Sequence, residues 1–512
     1  MNIMFATHEN HQKWLYDSSD WVLVRKDLNA AEVIAYFEKG DKDFPIEYLY
    51  KPCFEAEDAQ YRLEIMSEIF ENDGLYNKLS DCIAELKQLR RFLVDFREEK
   101  HEVQKNYRYL LAFCTYAKLA EKLKAVLESA KSEGLKKIYH YCGAIMLDDT
   151  FNSGREAAIP LADEIFNVLN KTGLVFNPHE KTFLAAEGEG DTIKTGDTAQ
   201  LLSEIADIYG ITMKDTFSVV DPMPLSYVEE QVLLMLMENN PEMFENLKIF
   251  ADTYGGVLKD MKIFAGLLPQ FVFFVNYINF INLMKSYGLN ACTPKFGKDY
   301  SAFDCASISL AVKFYYESLN IGEIVRNNIN LPGGGKFILS GPNQGGKTIY
   351  LKQLGLTAYL AKCGCYVLCE SCTVPFYDKI LTHFMQKEVL GKSRLVEEIE
   401  RIENIMPEIT RDSLVLLNES FTSTRRKDSV DISLHYLKKF DEAGCSVGFV
   451  SHFYELPELD KSIISLRSEV GDNGTRTYSI FEKQGDGLAY ALDISRACGT
   501  TYEQLVEIVK LN

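Results

Sequence analysis

Phe337-Ile-Leu-Ser-Gly-Pro-Asn-Gln-Gly-Gly-Lys-Thr348 constrains the fold of this chain more than any other stretch. An apolar run, Phe337-Ile338-Leu339, stops at Gly341. After four intervening residues come Gly346, Lys347 and Thr348, and a helical pattern begins. This is G-x-x-x-x-G-K-[ST] set between a strand and a helix. Glycines let successive backbone N–H groups turn inward as a nest, where a Cβ would block an anion. The helix that starts there aims the positive end of its dipole at the same point. The pattern predicts a phosphate loop made by Gly341, Pro342, Asn343, Gln344, Gly345, Gly346, Lys347 and Thr348. The ligands it predicts are ATP and Mg²⁺, with Lys347 reaching the β- and γ-phosphates and the Thr348 hydroxyl completing the shell of the ion.

The stretch around this loop alternates strands and helices from about Lys295, the pattern of a mostly parallel α/β sheet. A helix from about Lys347 to Lys362 leads to a strand near Tyr366-Val367-Leu368. A helix from about Leu395 to Ile409 leads to a strand at Leu414–Leu417. A helix through Val430, Leu434, Leu437 and Phe440 leads to a strand at Val447–Val450. Ahead of this region the apolar spacing is helical from Glu55 to about Lys137 and again from about Tyr227 to Leu283, with a break near Gly255-Gly256. Residues 184–227, acidic and punctuated by Gly188, Gly190, Gly196, Pro222 and Pro224, read as an exposed excursion. Residues 1–45, with a short strand at Trp21–Val24 and a helix from Ala30 to Lys39, read as a cap segment. The expected organisation is a cap at 1–45, a helical region at 46–290 and an α/β region at 291–512.

Two of the apolar strands end in groups that carry chemistry. Leu414–Leu417 ends in Asn418-Glu419, where a P-loop ATPase places a Mg²⁺ ligand and a water-activating carboxylate. Glu419 is the expected catalytic group. Asn418 stands where an aspartate is usual; its amide oxygen would reach Mg²⁺ through a water and adds no charge. Val447–Val450 ends in Ser451-His452, and His452 is placed to sense the γ-phosphate. Cys363, Cys365, Cys369 and Cys372 invite a zinc reading, but C-x-C-x₃-C-x₂-C is not a usual structural spacing, and buried thiols are expected.

Charge and composition exclude some partners. A net charge of −19 over 512 residues argues against a broadly basic nucleic-acid coat. Residues 151–250 carry 6 Lys/Arg against 17 Asp/Glu, while residues 101–150 carry 8 against 6. Any polyanion contact must therefore use local patches, and screening confines repulsion from the rest to about 8 Å. Lys87, Arg90, Arg91 and Arg97 offer either such a patch or a solvated helix face. The amino terminus has no basic region followed by an apolar core. Phe264–Leu283, with Pro269, Gln270, Asn276 and Asn279, reads as a buried helix and not a membrane span. Twelve cysteines without an export signal imply a reducing, cytoplasmic setting.

Ser340-Gly-Pro-Asn-Gln-Gly-Gly-Lys-Thr-Ile-Tyr-Leu-Lys-Gln353 closely resembles the phosphate loop of the MutS family of DNA mismatch-repair ATPases. Later pieces follow in the family's order: Gly364–Val367, Ser393 with Glu398 and Asn404-Ile405, Leu414–Glu419, Ser451–Leu456 and Leu488–Ile494. The resemblance covers about residues 290–510. Tyr61-Arg-Leu63 and Leu89-Arg-Arg-Phe92 look like the family's core and lever domain. The resemblance implies an α-helical core/lever domain followed by an α/β P-loop (ABC-like) ATPase domain. It implies ATP bound between two subunits of a homodimer that closes on duplex or branched DNA, in mismatch repair or recombination.

The chain departs from the family in several places. No Phe-x-Glu wedge precedes the helices, so no strong mismatch preference is expected. The loop after the strand, Gly- and Thr-rich in the family, here reads Ser420-Phe-Thr-Ser-Thr-Arg-Arg-Lys427. Ile324 falls where the family often has an aromatic against adenine, and no dimerisation module is expected after the ATPase. Arg425-Arg426-Lys427 either contacts the partner subunit's nucleotide or a polyanion, or is a solvated turn. Two alternatives stay open: a nucleotide-gated clamp acting on structured RNA, a ribosome-like particle or a protein, and a clamp whose ATPase is nearly inactive.

Overall fold

The computed structural model describes residues 1–177, 182–187, 233, 234, 236–384, 394–471, 475–483, 502 and 506. The expectations for the excursion beyond residue 187, for Ser393 and for Leu488–Ile494 lie outside the described residues. Two compact units are present: residues 1–3 with 72–271, and residues 4–71 with those from 272 on. Residues 1–45 are thus divided between the units.

In chain order the helices are α1 (His8–Tyr16), α2 (Val22–Asp27), α3 (Ala30–Gly40), α4 (Glu47–Tyr50), α5 (Ala56–Phe70), α6 (Asp73–Glu98), α7 (Glu102–Val126), α8 (Glu133–Ile145) and α9 (Asp149–Lys171). An antiparallel pair, β1 (Thr172–Asn177) and β2 (Thr182–Glu187), follows. Next come α10 (Pro241–Tyr254), α11 (Leu258–Ala265), α12 (Leu268–Ser286), β3 (Lys295–Phe296), β4 (Tyr300–Cys305), α13 (Ile308–Tyr316), β5 (Asn327–Leu331), β6 (Lys336–Ser340) and α14 (Lys347–Lys362). The remainder is β7 (Ser371–Val374), β8 (Lys379–Phe384), α15 (Arg394–Ile405), β9 (Ser413–Asn418), α16 (Arg426–Ala443), β10 (Ser446–Val450), α17 (Leu456–Leu459), β11 (Ile463–Val470) and β12 (Arg476–Glu482).

Apart from the β1–β2 pair, the described elements of the first unit are helices. Asn72 starts α6 by accepting from the Leu75 N–H at 3.0 Å, a side-chain cap on an otherwise orphan donor. Its core is aromatic: Phe113 meets Phe250 edge to face at 5.4 Å, and Tyr116 meets Phe264 at 4.9 Å. Gly154 is required there, because a Cβ would lie 2.6 Å from the Phe113 ring.

The second unit holds two sheets. One has the order β12-β11-β6-β10-β9-β8, parallel except for β12. The other has the order β3-β7-β4-β5. β6 and β10 are buried at every position, which is why they read as continuous apolar runs and not as alternating ones. Ile338, Val415, Leu417, Val447 and Phe449 face one core with Ile402, Val430, Leu437 and Phe440. Phe337, Leu416 and Gly448 face the other way, towards Leu351 of α14. Gly448 leaves the room α14 needs, since a Cβ would sit 2.8 Å from Phe337 and 3.0 Å from Leu351.

The amino-terminal residues of this unit pack onto the same elements. Arg62 is fully buried, donating from Nε to the Met4 carbonyl (2.8 Å) and from Nη1 to the Cys363 carbonyl (3.0 Å). It thereby sets a cation at the carboxy-terminal end of α14, where the helix dipole favours one. Phe37 stacks on Phe44 and Tyr277 at 4.7 and 5.3 Å, so α3 and α12 share a core.

Three expectations need correction. Trp21–Val24 is not a strand. Val22–Asp27 is a helix, started by Asp20 Oδ1 accepting from the Val22 N–H at 2.8 Å and seated beside β8. A four-residue apolar run carries no period of its own, and tertiary packing decides it. Tyr366–Leu368 makes only an isolated bridge, Cys292 to Val367, and the strand begins at Ser371. The α-helix expected to reach Ile409 stops at Ile405 and tightens to a 3₁₀ turn over Met406–Glu408, because Pro407 disfavours helical geometry before it and donates no N–H. Pro241–Ser286 is long and apolar enough by length and composition to span a membrane. It is broken at Gly255–Val257 and again between α11 and α12, and Phe271, Phe273, Phe274 and Tyr277 are fully buried.

Candidate nucleotide site

Parallel strands deliver their carboxy-terminal ends to one edge of the sheet, and ligands bind at that edge. Here Leu339 of β6 is level with Val450 of β10 and Leu466 of β11, and Val450 is level with Asn418 of β9. The loop after β6 therefore lies beside Asn418-Glu419 and Ser451-His452. Two backbone bonds fix that edge: Glu419 N–H to the Val450 carbonyl at 2.9 Å, and Ser451 N–H to the Leu339 carbonyl at 3.1 Å.

The loop has the backbone its sequence requires. Gly341 and Gly346 have φ of 135° and 84°, and Gln344, which has a Cβ, has 60°. Gly346 is the residue from which α14 starts. Lys347 is 4% exposed, and its ammonium donates to the Gly341 and Pro342 carbonyls at 2.9 and 2.8 Å. Burial holds its pKa below the ordinary lysine value, and the Glu419 carboxylate partly opposes that shift. A buried cation beneath a cradle of inward backbone groups is a site for an anion.

Thr348 Oγ1 donates to Asn418 Oδ1 at 3.0 Å, which brings together the two residues expected at the metal. Their oxygens are hard donors of the kind Mg²⁺ takes, and a sparse protein shell suits an ion that keeps most of its waters. His452 Nε2 lies 3.5 Å from Glu419 Oε1. This contact is the first cause holding the Glu419 carboxyl below the usual range, with Lys347 and Arg394 adding to it and desolvation opposing.

Other expected residues go elsewhere. Ile324 is buried. Arg426 bonds both Glu455 carboxylate oxygens at 2.6 and 2.7 Å and lies 4.8 Å over the Tyr454 ring, so it is engaged within its own chain. Arg425 and Lys427 are exposed on either side of it. On α6, Arg91 is 3.9 Å from Asp95 and Arg97 is 2.9 Å from Glu98, which offsets part of the basic face. The four clustered cysteines, 363, 365, 369 and 372, are all buried.

Two supports of the loop carry no sequence signal. Ser468 on β11 donates to the Gly345 carbonyl, and a Cβ on Gly341 would meet the Ser468 Cβ at 3.0 Å. Tyr478 on β12 lies against Gly346, with its carbonyl held by Asn327 at 3.1 Å. Both are single residues brought across the sheet, with no spacing that ties them to the loop.

Phosphate loop, buried lysine and polar strand ends in one register define a P-loop α/β domain. The family model for MutS domain V matches residues 337–481. Among curated proteins, the DNA mismatch repair protein MutS of Thermotoga petrophila is 29% identical over 184 residues, 34% of this chain and 23% of that protein. Those of Fusobacterium nucleatum and Fervidobacterium nodosum are 30% and 29% identical over 193 and 202 residues, covering 36% and 37% of this chain and 22% and 24% of theirs. Over this segment the chain is similar to MutS domain V. The match spans about a quarter of the length of these relatives.

Proposed function

We propose that this chain is a cytoplasmic MutS-like ATP hydrolase that binds duplex or branched DNA as an ATP-gated homodimer, in mismatch-repair or recombination-related transactions. The observation that carries the reading is the buried Lys347 ammonium beneath the Gly341–Gly346 backbone, level with Asn418, Glu419 and His452. Backbone N–H groups and Lys347 hold the phosphates. Thr348, and Asn418 through a water, would hold Mg²⁺, which would supply positive charge against the phosphates. Glu419 orients the attacking water, and His452 keeps that carboxylate ionised and aimed. The loop from Ser420 to Lys427 faces the second subunit's nucleotide, and closure of the dimer draws the helical parts around DNA.

A net charge of −19 leaves room for few phosphate contacts, so affinity is low at physiological salt and its salt dependence shallow. The test is competition binding of linear, G·T-mismatched and branched duplexes, with and without ATP, with light scattering on the same samples. The expected result is an ATP-dependent dimer that prefers branched DNA and treats G·T like matched duplex. A monomer under all conditions removes the composite site. Dimerisation without binding to any DNA moves the reading to structured RNA, a ribosome-like particle or a protein partner, for which the acidic charge leaves room.

A further inference from the structure

The turn that carries Glu419 has a backbone its own residues do not prefer. Glu419 and Phe421 have φ of 54° and 64°, the left-handed region that side chains rarely adopt and that is a clear outlier for a bulky one. Such a conformation persists only where the surroundings impose it.

Side chains from two neighbouring elements impose it here. Glu398 of α15, 3% exposed, accepts the Phe421 N–H at 2.6 Å on Oε2 and the Arg394 Nε–H at 3.2 Å on Oε1. His383 of β8, 4% exposed, has Nε2 at 3.2 Å from the Glu398 carbonyl and Nδ1 at 2.6 Å from Ser420 Oγ. A carbonyl only accepts, so Nε2 carries the proton and Nδ1 accepts from the Ser420 hydroxyl. Burial lowers the His383 pKa to about 4, in keeping with that neutral ring. Phe421 fills the remaining space, stacked on Tyr436 at 5.4 Å and 6° and on His383 at 6.2 Å and 21°.

We infer that Glu398 and His383 form a latch that positions Glu419. It forces the left-handed backbone at Glu419 and Phe421 that aims the carboxylate at the phosphate loop. Both are positioning residues, acting through the backbone of Ser420 and Phe421. The inference rests on Glu419 as the water-orienting group.

Glycine adopts positive φ without a side-chain penalty. A glycine at 421 therefore makes the turn less dependent on the latch, and this separates positioning from simple structural support. The experiment measures ATP turnover, fluorescent-ATP binding and thermal unfolding for wild type, Glu398→Gln, Phe421→Gly, the double variant and Glu419→Gln. Glu398→Gln is expected to lose about 10-fold or more in kcat with nucleotide Kd within about 2-fold, because small misplacements of a catalytic group are costly. In the Phe421→Gly background the same change is expected to cost less than about 3-fold. Ser420→Ala, a milder change, is expected to lower kcat without changing Kd, and it carries the test if Glu398→Gln does not fold. Equal losses in both backgrounds, or a fall in melting temperature with kcat unchanged, overturn the latch alone. Wild-type turnover by Glu419→Gln overturns the reading of the site and the latch with it.

Discussion

At the scale of single residues, the Glu419–His452 contact sets how the site responds to pH. The carboxyl is held low first by its contact with His452, so the working ionised form persists below the usual carboxylate range. His452→Ala removes that contact, the Glu419 pKa rises, and the acid limb of the kcat profile moves to higher pH. The carboxylate also stabilises the fold above its unfolded pKa, a contribution lost as pH falls through the folded value. A profile of kcat against pH checks this; an unmoved acid limb in His452→Ala shows that His452 does not tune Glu419. The phosphate loop was legible because backbone chemistry dictates its residue types at fixed spacing. The strand-end positions of Asn418, Glu419 and His452 were legible because the pairs Asn418-Glu419 and Ser451-His452 each close an apolar run. Ser468, Tyr478 and His383 were not, because each acts across the sheet from a position that no pattern marks.

At the scale of elements, α14 shows how packing overrides propensity. Gly355 lies in the interior of this helix, where alanine ordinarily gains about 1 kcal/mol. A Cβ at 355 would lie 2.5 Å from a Leu416 methyl and 2.6 Å from a Leu28 methyl, both in residues with no exposed surface. Overpacking of this kind costs about 1–3 kcal/mol. Gly355→Ala is therefore expected to lower stability by about 1 kcal/mol in chemical unfolding, and a stabilised variant contradicts the contact. β6, β9 and β10 were readable as strands because burial on both faces leaves an unbroken apolar run. The run at Trp21–Val24 looks the same over four residues, yet its backbone is helical, and the difference comes from Asp20 and the surface beside β8, which are not visible locally.

At the scale of the whole molecule, the helical and α/β regions were readable as a change of period near residue 295. The grouping of residues 4–71 with the sheet-bearing unit was not. It depends on single long-range contacts, such as Arg62 on the Cys363 carbonyl and Leu28 beside Gly355, which leave no trace in composition or spacing. The same unit contains every residue assigned to the nucleotide, so what that site does with ATP is decisive. The most direct measurement follows ATP binding and single-turnover hydrolysis together in wild type, Lys347→Ala and Glu419→Gln. Loss of the buried ammonium is predicted to abolish binding. Loss of the carboxylate is predicted to leave binding within a few-fold while slowing hydrolysis about 100-fold or more. Normal ATP binding by Lys347→Ala, or wild-type turnover by Glu419→Gln, contradicts it.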